Sequence, residues 1–503
     1  MLSKIGWFVT YVLCVVIVSA CSTSQSSSSE ISDNTLLDPK TSSASEAKAT
    51  EVLSSLAPPI LLAGEARPNW TIEERMAHYR VPGVSVAVIL DGKIAWAKAF
   101  GYADAAEQIP VTGETLFQAA SISKPVTALA ALQLVDAGLI DLDTPVNEYL
   151  TRWQIPSNVF TQEVPVTLRH LLSHTGGLTV HGFPGYPEGD PLPTAIEVLN
   201  GASPANTNAV VVDQFPGLVH RYSGGGYTIA QVMLEDVSGE SFEELLDWLV
   251  LKPANMSVSS FRQPLPVLKA PIASAAHDAE GNKVDGHSHR YPELAAAGLW
   301  TTPTDLANLA IAIANGGNDG EQMLSEQMLV EMMTPLGGSD YGLGFGVHQY
   351  GDQQVLSHTG GNHGFRAVFS FHPEGNYGVA IMTNSDRGDS VARELQSALA
   401  ETYGWPAGAS EIRDTADLSE AELGRFVGRY VGDFGGEMHQ VVISVIDGGL
   451  SLESDLGIKP HAVFMSPDQR SIFNRNGGTI RFSYVDGELR GLYLYGVKFN
   501  KAE

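Results

Sequence analysis

An α/β sandwich with a helical lobe, followed by a small all-β barrel or sandwich, is the fold class that this sequence predicts. Three observations carry it. Strand-like runs bracket residues 64–406 at both ends, apolar helix patterns fill the interval, and short β-rich runs separated by turn residues dominate residues 423–503. At 503 residues the chain is longer than one ordinary domain, so a large core with an accessory module is the natural division. Apolar residues at 44% and charged residues at 17% suit a globular protein and confine disorder to local stretches. The net charge of −27 repels phosphate backbones, so nucleic acid is not expected as a partner.

The first 21 residues read as an address. Lys4 precedes an apolar run from Ile5 to Val18, and Val18-Ser19-Ala20-Cys21 places small residues before a cysteine. The run is short for a bilayer span of ~20 apolar residues, which disfavours an uncleaved anchor. The pattern resembles a bacterial lipoprotein signal, cut before Cys21 with lipidation of that cysteine. Ser22 after the cysteine then implies a lipid-anchored place in the cell envelope, at an outer membrane facing the periplasm. Residues 22–63 are rich in Ser, Thr, Ala and acids, and are expected to be a disordered tether. The only cysteines are Cys14 and Cys21, so residues 64–503 have no thiols for a disulfide, a zinc site or a nucleophile. No cofactor or metal is predicted.

In residues 64–406 the first strand candidate is Val84 to Leu90. Asp91-Gly92 offers a tight hairpin, and Ile94 to Phe100 alternates back. Pro125 to Ala137 is apolar almost all round and stops at Gly138, as a buried helix with a glycine cap would. Further helices are predicted over Tyr227 to Val237, from a Ser241–Glu244 capping box through Leu251, and from Thr302-Pro303 through Ile313. Strands return at Val355 to Ser357, Ala367 to His372 and Gly378 to Thr383, and a helix over Val391 to Tyr403 closes the unit. Residues 407–422 read as an acidic linker. Beyond it, runs at Val441 to Ile446, Leu450 to Glu453, Ala462 to Met465, Thr479 to Val485 and Leu489 to Val497 predict the β module, with Asp447-Gly448 and Asp486-Gly487 as turns.

Three motifs carry chemistry. In Ser121-Ile122-Ser123-Lys124 the hydroxyl and the amine stand three residues apart, on one helix face, and a desolvated lysine can take the proton of a serine nucleophile. Ser45-Glu46-Ala47-Lys48 has the same spacing, but Ser121 alone opens a strongly apolar helix, where a lysine is costly without a purpose. In Tyr222-Ser223-Gly224-Gly225-Gly226-Tyr227 a loop phenol could relay a proton, although taken alone it reads more simply as a packed ring. In Ser357-His358-Thr359-Gly360-Gly361 small residues end an apolar strand where a substrate backbone could approach; His358 could donate to substrate, or be a satisfied turn histidine.

Together these motifs resemble those of the serine β-lactamase and penicillin-binding superfamily, especially class C β-lactamases and D,D-peptidases. The resemblance runs from about Trp70 to Trp405 and includes Phe117-Gln118-Ala119-Ala120, Leu171-Leu172-Ser173-His174-Thr175-Gly176-Gly177-Leu178, Lys252-Pro253-Ala254-Asn255-Met256 and Ala296-Ala297-Gly298-Leu299-Trp300. It implies a β-lactamase/transpeptidase-like sandwich. It also implies Ser121 as acyl-accepting nucleophile, Lys124 as its base, Tyr222 as proton shuttle, and His358, Thr359, Gly360 and Gly361 as the substrate-binding strand. The backbone N–H groups of Ser121 and Gly361 would form the oxyanion hole.

Two departures matter. Gly224 stands where the asparagine of the tyrosine motif is usual, and His358 stands where a lysine is usual, which should make recognition of a substrate carboxylate weak or pH-dependent. His-Thr-Gly occurs among peptidase-like and esterase-like relatives. The expectation is therefore hydrolysis of a small-molecule ester, a D-peptide or a cell-wall-derived amide, with weak β-lactam turnover. The alternative is a non-catalytic envelope-binding lipoprotein. His287-Ser288-His289 is expected to face solvent, and Arg366 to meet a substrate acid or pair on the surface.

Overall fold

The computed structural model describes residues 43–502 apart from residues 319, 435, 436, 447, 448, 457 and 495. The leader, Cys21, residues 22–42 of the expected tether and the Asp447-Gly448 turn lie outside the described residues. Among the described residues no helix is long and apolar enough to cross a membrane.

The centre of the larger unit is an antiparallel sheet of seven strands. Their spatial order is Ile109–Pro110, Lys93–Asp104, Gly83–Leu90, Tyr377–Thr383, Phe365–His372, Gln353–Asn362 and Gly346–Tyr350. Gly83–Leu90 is a central strand between Lys93–Asp104 and Tyr377–Thr383, and its alternate side chains enter a core on each face of the sheet, which explains its unbroken apolar run. Val84, Val86 and Val88 pack with Val391, Leu395 and Leu399 of the helix Gly388–Tyr403, whereas Ala87 and Ile89 join the main core on the opposite face. The predicted hairpin turn forms with both central residues left-handed, Asp91 at φ 51° and Gly92 at φ 67°. The helical lobe occupies the main-core face, centred on the buried helices Ser123–Asp136 and Gly224–Ser238.

The tether expected through residue 63 is corrected by the structure. Residues 43–53 form a helix whose Ala49 and Val52 are fully buried among the Gly388–Tyr403 side chains, and Glu46 pairs with Lys98 at 2.9 Å. Tertiary packing supplies the stability that this Ser- and Ala-rich segment lacks on its own. The same neighbourhood holds a buried bidentate pair, Arg75 with Glu394 at 2.7 and 2.9 Å, which the Tyr79 hydroxyl joins at 2.7 Å.

The linker is corrected too. Glu411–Arg413 pairs in parallel with Ile60–Leu62, and Ser419 caps a short helix over Glu420–Leu423. The Ile60–Leu62 strand also reaches the C-terminal module: Ile60 donates to the Arg475 carbonyl at 3.0 Å, and Ile60 and Leu62 pack with Phe473.

The C-terminal module is a closed eight-stranded barrel in sequential order. Its first strand, Gly428–Phe434, pairs with both Glu437–Ile446 and Val497–Lys501. Tyr430, Val441, Leu450, Leu492 and Phe499 fill the interior.

Candidate active site

Phe117–Gln118 pairs with Trp300–Thr301, and the chain then turns sharply through Ala120 into a 3-10 turn over Ala120–Ile122 that leads into the helix Ser123–Asp136. Ala120 has φ 49°, a left-handed conformation that costs a non-glycine residue about 1–2 kcal/mol. Ser123 holds it there: its hydroxyl donates to the Ala120 carbonyl at 2.6 Å and accepts from Leu299 N–H at 3.0 Å. The result leaves Ser121 partly exposed between buried Ala120 and Ile122.

One helical turn on, Lys124 is only 2% exposed. Its Nζ lies 2.9 Å from Ser121 Oγ and 2.9 Å from the Ala296 carbonyl. Among the described residues no carboxylate pairs with it. Burial without a counter-ion penalises the ammonium and pulls the amine down to about 7. A free amine held at this distance is a proton acceptor for the serine hydroxyl.

Tyr222 enters from the loop before the helix Gly224–Ser238. The Lys124 ammonium position is 4.9 Å from its ring centroid. Burial pushes the phenol well above its ordinary range, with an opposing pull from its interaction with Ser121. The two groups beside Ser121 thus move apart, the amine toward the free base and the phenol toward the protonated form, which fits one as acceptor and the other as donor.

His174 positions Tyr222, a role that its turn alone did not reveal. Its ring lies 4.1 Å from the Tyr222 ring, and its Nδ1 accepts from the backbone N–H of Ser223 at 3.1 Å. Burial and nearby Lys124 keep His174 neutral, and Tyr227 and Tyr341 complete the aromatic packing at 5.3 and 4.9 Å.

The strand Gln353–Asn362 supplies the remaining predicted residues. Its partner on one side, Gly346–Tyr350, ends opposite Ser357, so the edge beyond is open and lies over the nucleophile turn. Alternation places His358, Gly360 and Asn362 on the buried face and Thr359, Gly361 and His363 on the exposed face. Gly360 is required by contact: a Cβ there would stand 2.1 Å from the Ala119 carbonyl oxygen. Gly361 is not so confined, its nearest neighbour being Arg366 at 3.6 Å. Asn362 ties the strand down, donating to Gln118 Oε1 at 2.7 Å and the Ala297 carbonyl at 3.2 Å.

His358 departs from expectation. Its Nδ1 lies 2.7 Å from the Thr359 carbonyl, which can only accept, so the ring proton is on Nδ1 and Nε2 is left as a buried acceptor with no protein partner. Burial, reinforced by Lys124, lowers its pKa to about 3. The expected donor to substrate, with pH-dependent charge near neutrality, is therefore a neutral acceptor throughout that range.

Arg366 pairs with Asp386 at 3.0 Å and donates to the Asn362 and Phe365 carbonyls at 2.7 Å each, so it braces the turn after the strand. His287 and His289 are half-buried rather than solvent-facing, and the His289 ring packs 4.6 Å from that of His363. Among the described residues no group of three or more His, Cys, Asp or Glu has the arrangement of a metal site. A further buried group is Glu293, fully shielded with neither carboxylate oxygen bonded; burial pushes it up to about 8. A single acid inside the apolar run Tyr291 to Trp300 was its only trace in the sequence.

Comparison with known proteins identifies the family and the fold. The family model described as Beta-lactamase matches residues 69–403. Protein flp of Staphylococcus aureus (strain N315) is 24% identical over 329 residues, covering 62% of this chain and 61% of its own length. The chain thus spans about six tenths of that relative. The putative penicillin-binding protein PbpX of Bacillus subtilis (strain 168) is 27% identical over 301 residues, covering 59% of this chain and 69% of its own. Among solved structures, the octameric penicillin-binding protein homologue from Pyrococcus abyssi superposes with a TM-score of 0.59 at 26% identity, covering 86% of this chain and 98% of that one. A D-amino acid amidase from Ochrobactrum anthropi SV3, complexed with L-phenylalanine, has a TM-score of 0.56 at 21% identity, over 72% of this chain and 100% of that one; at this identity the likeness is one of fold alone.

Proposed function

The chain belongs to the Beta-lactamase family, and from that premise we propose that it is a serine hydrolase that cleaves neutral esters or small amides, such as D-amino-acid amides, through an acyl-enzyme on Ser121. The observation that carries the reading is the buried, unpaired Lys124, its Nζ 2.9 Å from Ser121 Oγ and its pKa pulled to about 7. A lysine in that position is expensive to bury and makes no ion pair among the described residues, which counts against a purely binding role for the site.

In the proposed cycle Lys124 takes the proton as Ser121 Oγ attacks the substrate carbonyl carbon. The negative charge on the carbonyl oxygen is met by the backbone N–H groups of Ser121 and Gly361. Tyr222 gives its proton to the leaving oxygen or nitrogen as that bond breaks, and recovers one from the Lys124 ammonium. Water then attacks the acyl carbon by the same steps in reverse, releasing the acid and restoring the serine hydroxyl.

The charge pattern supports neutral substrates. His358 is an uncharged acceptor, and Arg366 is committed to Asp386, so neither offers free positive charge to a substrate carboxylate. The test is a panel of a short-chain ester, an N-acetyl-D-alanyl amide, a chromogenic β-lactam and an N-acetylated D-alanyl-D-alanine peptide, each with Ser121→Ala as control. The neutral ester and amide are expected to be turned over at least about tenfold faster than the two carboxylate-bearing compounds, by loss of one charge pairing. No turnover of any of them, or turnover unchanged in Ser121→Ala, rejects the proposal.

A further inference from the structure

Position 224 opens the helix Gly224–Ser238 two residues after Tyr222, and it has no side chain. The space a side chain would take is already filled. A Cβ there would lie 2.9 Å from Cε2 of Phe183 and 3.2 Å from the backbone oxygen of His181. Both belong to the segment that follows Leu178, which bridges to Val212.

That segment is fastened along the tyrosine loop. The Ser223 hydroxyl donates to the Thr179 carbonyl at 2.6 Å, Gly225 N–H to that of Val180 at 3.1 Å, and Gly224 N–H to that of His181 at 3.0 Å. Its far end is fixed as well. The Pro184 carbonyl accepts from the Tyr291 hydroxyl at 3.4 Å and lies 3.0 Å from His289 Nδ1. Gly185, at φ 74°, sits so close to Tyr291 that a Cβ would stand 2.5 Å from the ring. Residues 181–185 are thus a fixed wall. The His181 ring is exposed and lies 4.9 Å from the Tyr222 ring, and Phe183 is partly exposed while its remainder packs on the main core.

This wall adjoins Tyr222 through the His181 ring, so a substrate group held at that tyrosine is offered its surface. What it meets is an imidazole tilted against the tyrosine ring and a phenyl edge, in a place where a side-chain amide at 224 would have offered hydrogen bonds. Such a surface rewards flat or bulky apolar groups and offers little to polar ones. We propose that His181 and Phe183 are specificity-determining residues that select esters or amides bearing an aryl or branched aliphatic group beside Tyr222. This inference rests on the serine-hydrolase reading above.

The experiment compares kcat/KM for a phenylacetyl and an acetyl ester of one alcohol, and for an aryl and a methyl ester of one acid, with a small fluorophosphonate reporting the Ser121 adduct in each variant. Phe183→Ala is expected to lower the aryl-to-alkyl ratio in one of the two series by roughly tenfold or more, the scale on which apolar pockets discriminate. Phe183→Leu, which keeps apolar volume without the ring, should lower it less and serves if the alanine variant fails to fold. Gly224→Asn should slow adduct formation through the clash with Phe183, and adding Phe183→Ala to it should restore part of the rate, the His181 backbone oxygen remaining at 3.2 Å. An unchanged ratio in both series with the Ser121 adduct still forming overturns the inference, as does Gly224→Asn behaving alike with and without Phe183→Ala. Absence of any adduct in the parent protein instead overturns the hydrolase reading itself, and this inference with it.

Discussion

The pH at which the protein becomes active should be set by Lys124. An ordinary lysine amine titrates at 10.5, and burial without a counter-ion brings this one to about 7. That difference corresponds to a penalty on the order of 5 kcal/mol on the ammonium. In terms of population, about half of the molecules hold the free amine at pH 7, against roughly one in 3,000 for an unshifted lysine. The free amine is the form that can accept the Ser121 proton, so activity must rise with pH. Measured as kcat/KM for a neutral ester between pH 5 and 9, the profile should fall about tenfold per unit below pH 6, turn near 7 and level off above 8. The histidines around the site all move away from this turning point: burial lowers His358 to about 3, holds His174 well below its usual range, and shifts His181 and His220 downward as well. Tyr222 is displaced the other way and stays protonated across the window. A flat profile between pH 6 and 8, or a turning point above 9, would refute the role given to this amine.

Tyr222→Phe removes the proton donor but not the ring that His174 packs against, so the fold should persist while amide turnover falls by roughly 10²–10⁴-fold; esters of acidic phenols, which leave without a proton, should lose much less, as single-turnover acylation rates would show. His358→Lys should place a cation on the buried face toward Tyr222 and raise kcat/KM for the N-acetylated D-alanyl-D-alanine peptide relative to the N-acetyl-D-alanyl amide; an unchanged ratio would mean that the strand does not recognise the carboxylate. Glu293 binds its proton more tightly in the folded state, about 8 against 4.5, so the stability this adds is full below 4.5 and is lost as pH rises through 8. Glu293→Gln never ionises, and its advantage in unfolding free energy should widen over that window toward an upper limit on the order of 5 kcal/mol; denaturation midpoints that differ by a constant amount from pH 4.5 to 8 would reject this.

Much of the core was legible because its signals are local. The strand Gly83–Leu90, its left-handed Asp91-Gly92 turn and the helix ending before Gly138 follow from apolar period and turn chemistry. The Ser121–Lys124 contact follows from helical spacing. Convergence of Tyr222 and the His358 strand on that pair does not, because nothing local joins residues so far apart; the family resemblance supplied it. The helix Ser43–Leu53 was hidden because only Ala49 and Val52 are buried, and its stability comes from packing against a helix some 350 residues later in the chain. In the barrel, the glycines of Gly428–Phe434 masked a strand that closes the whole structure. The alternation of His358, Gly360 and Asn362 could be counted from the sequence, but the charge state of His358 could not, since it depends on what is buried around it.

Mass-spectrometric mapping after reaction of the full-length protein with a fluorophosphonate at pH 8 tests the central claim most directly. A single covalent adduct is predicted on Ser121, absent in Ser121→Ala and formed at least about 100-fold more slowly in Lys124→Ala, the usual scale for losing a general base. An adduct on another residue, or equal rates with and without Lys124, would contradict it.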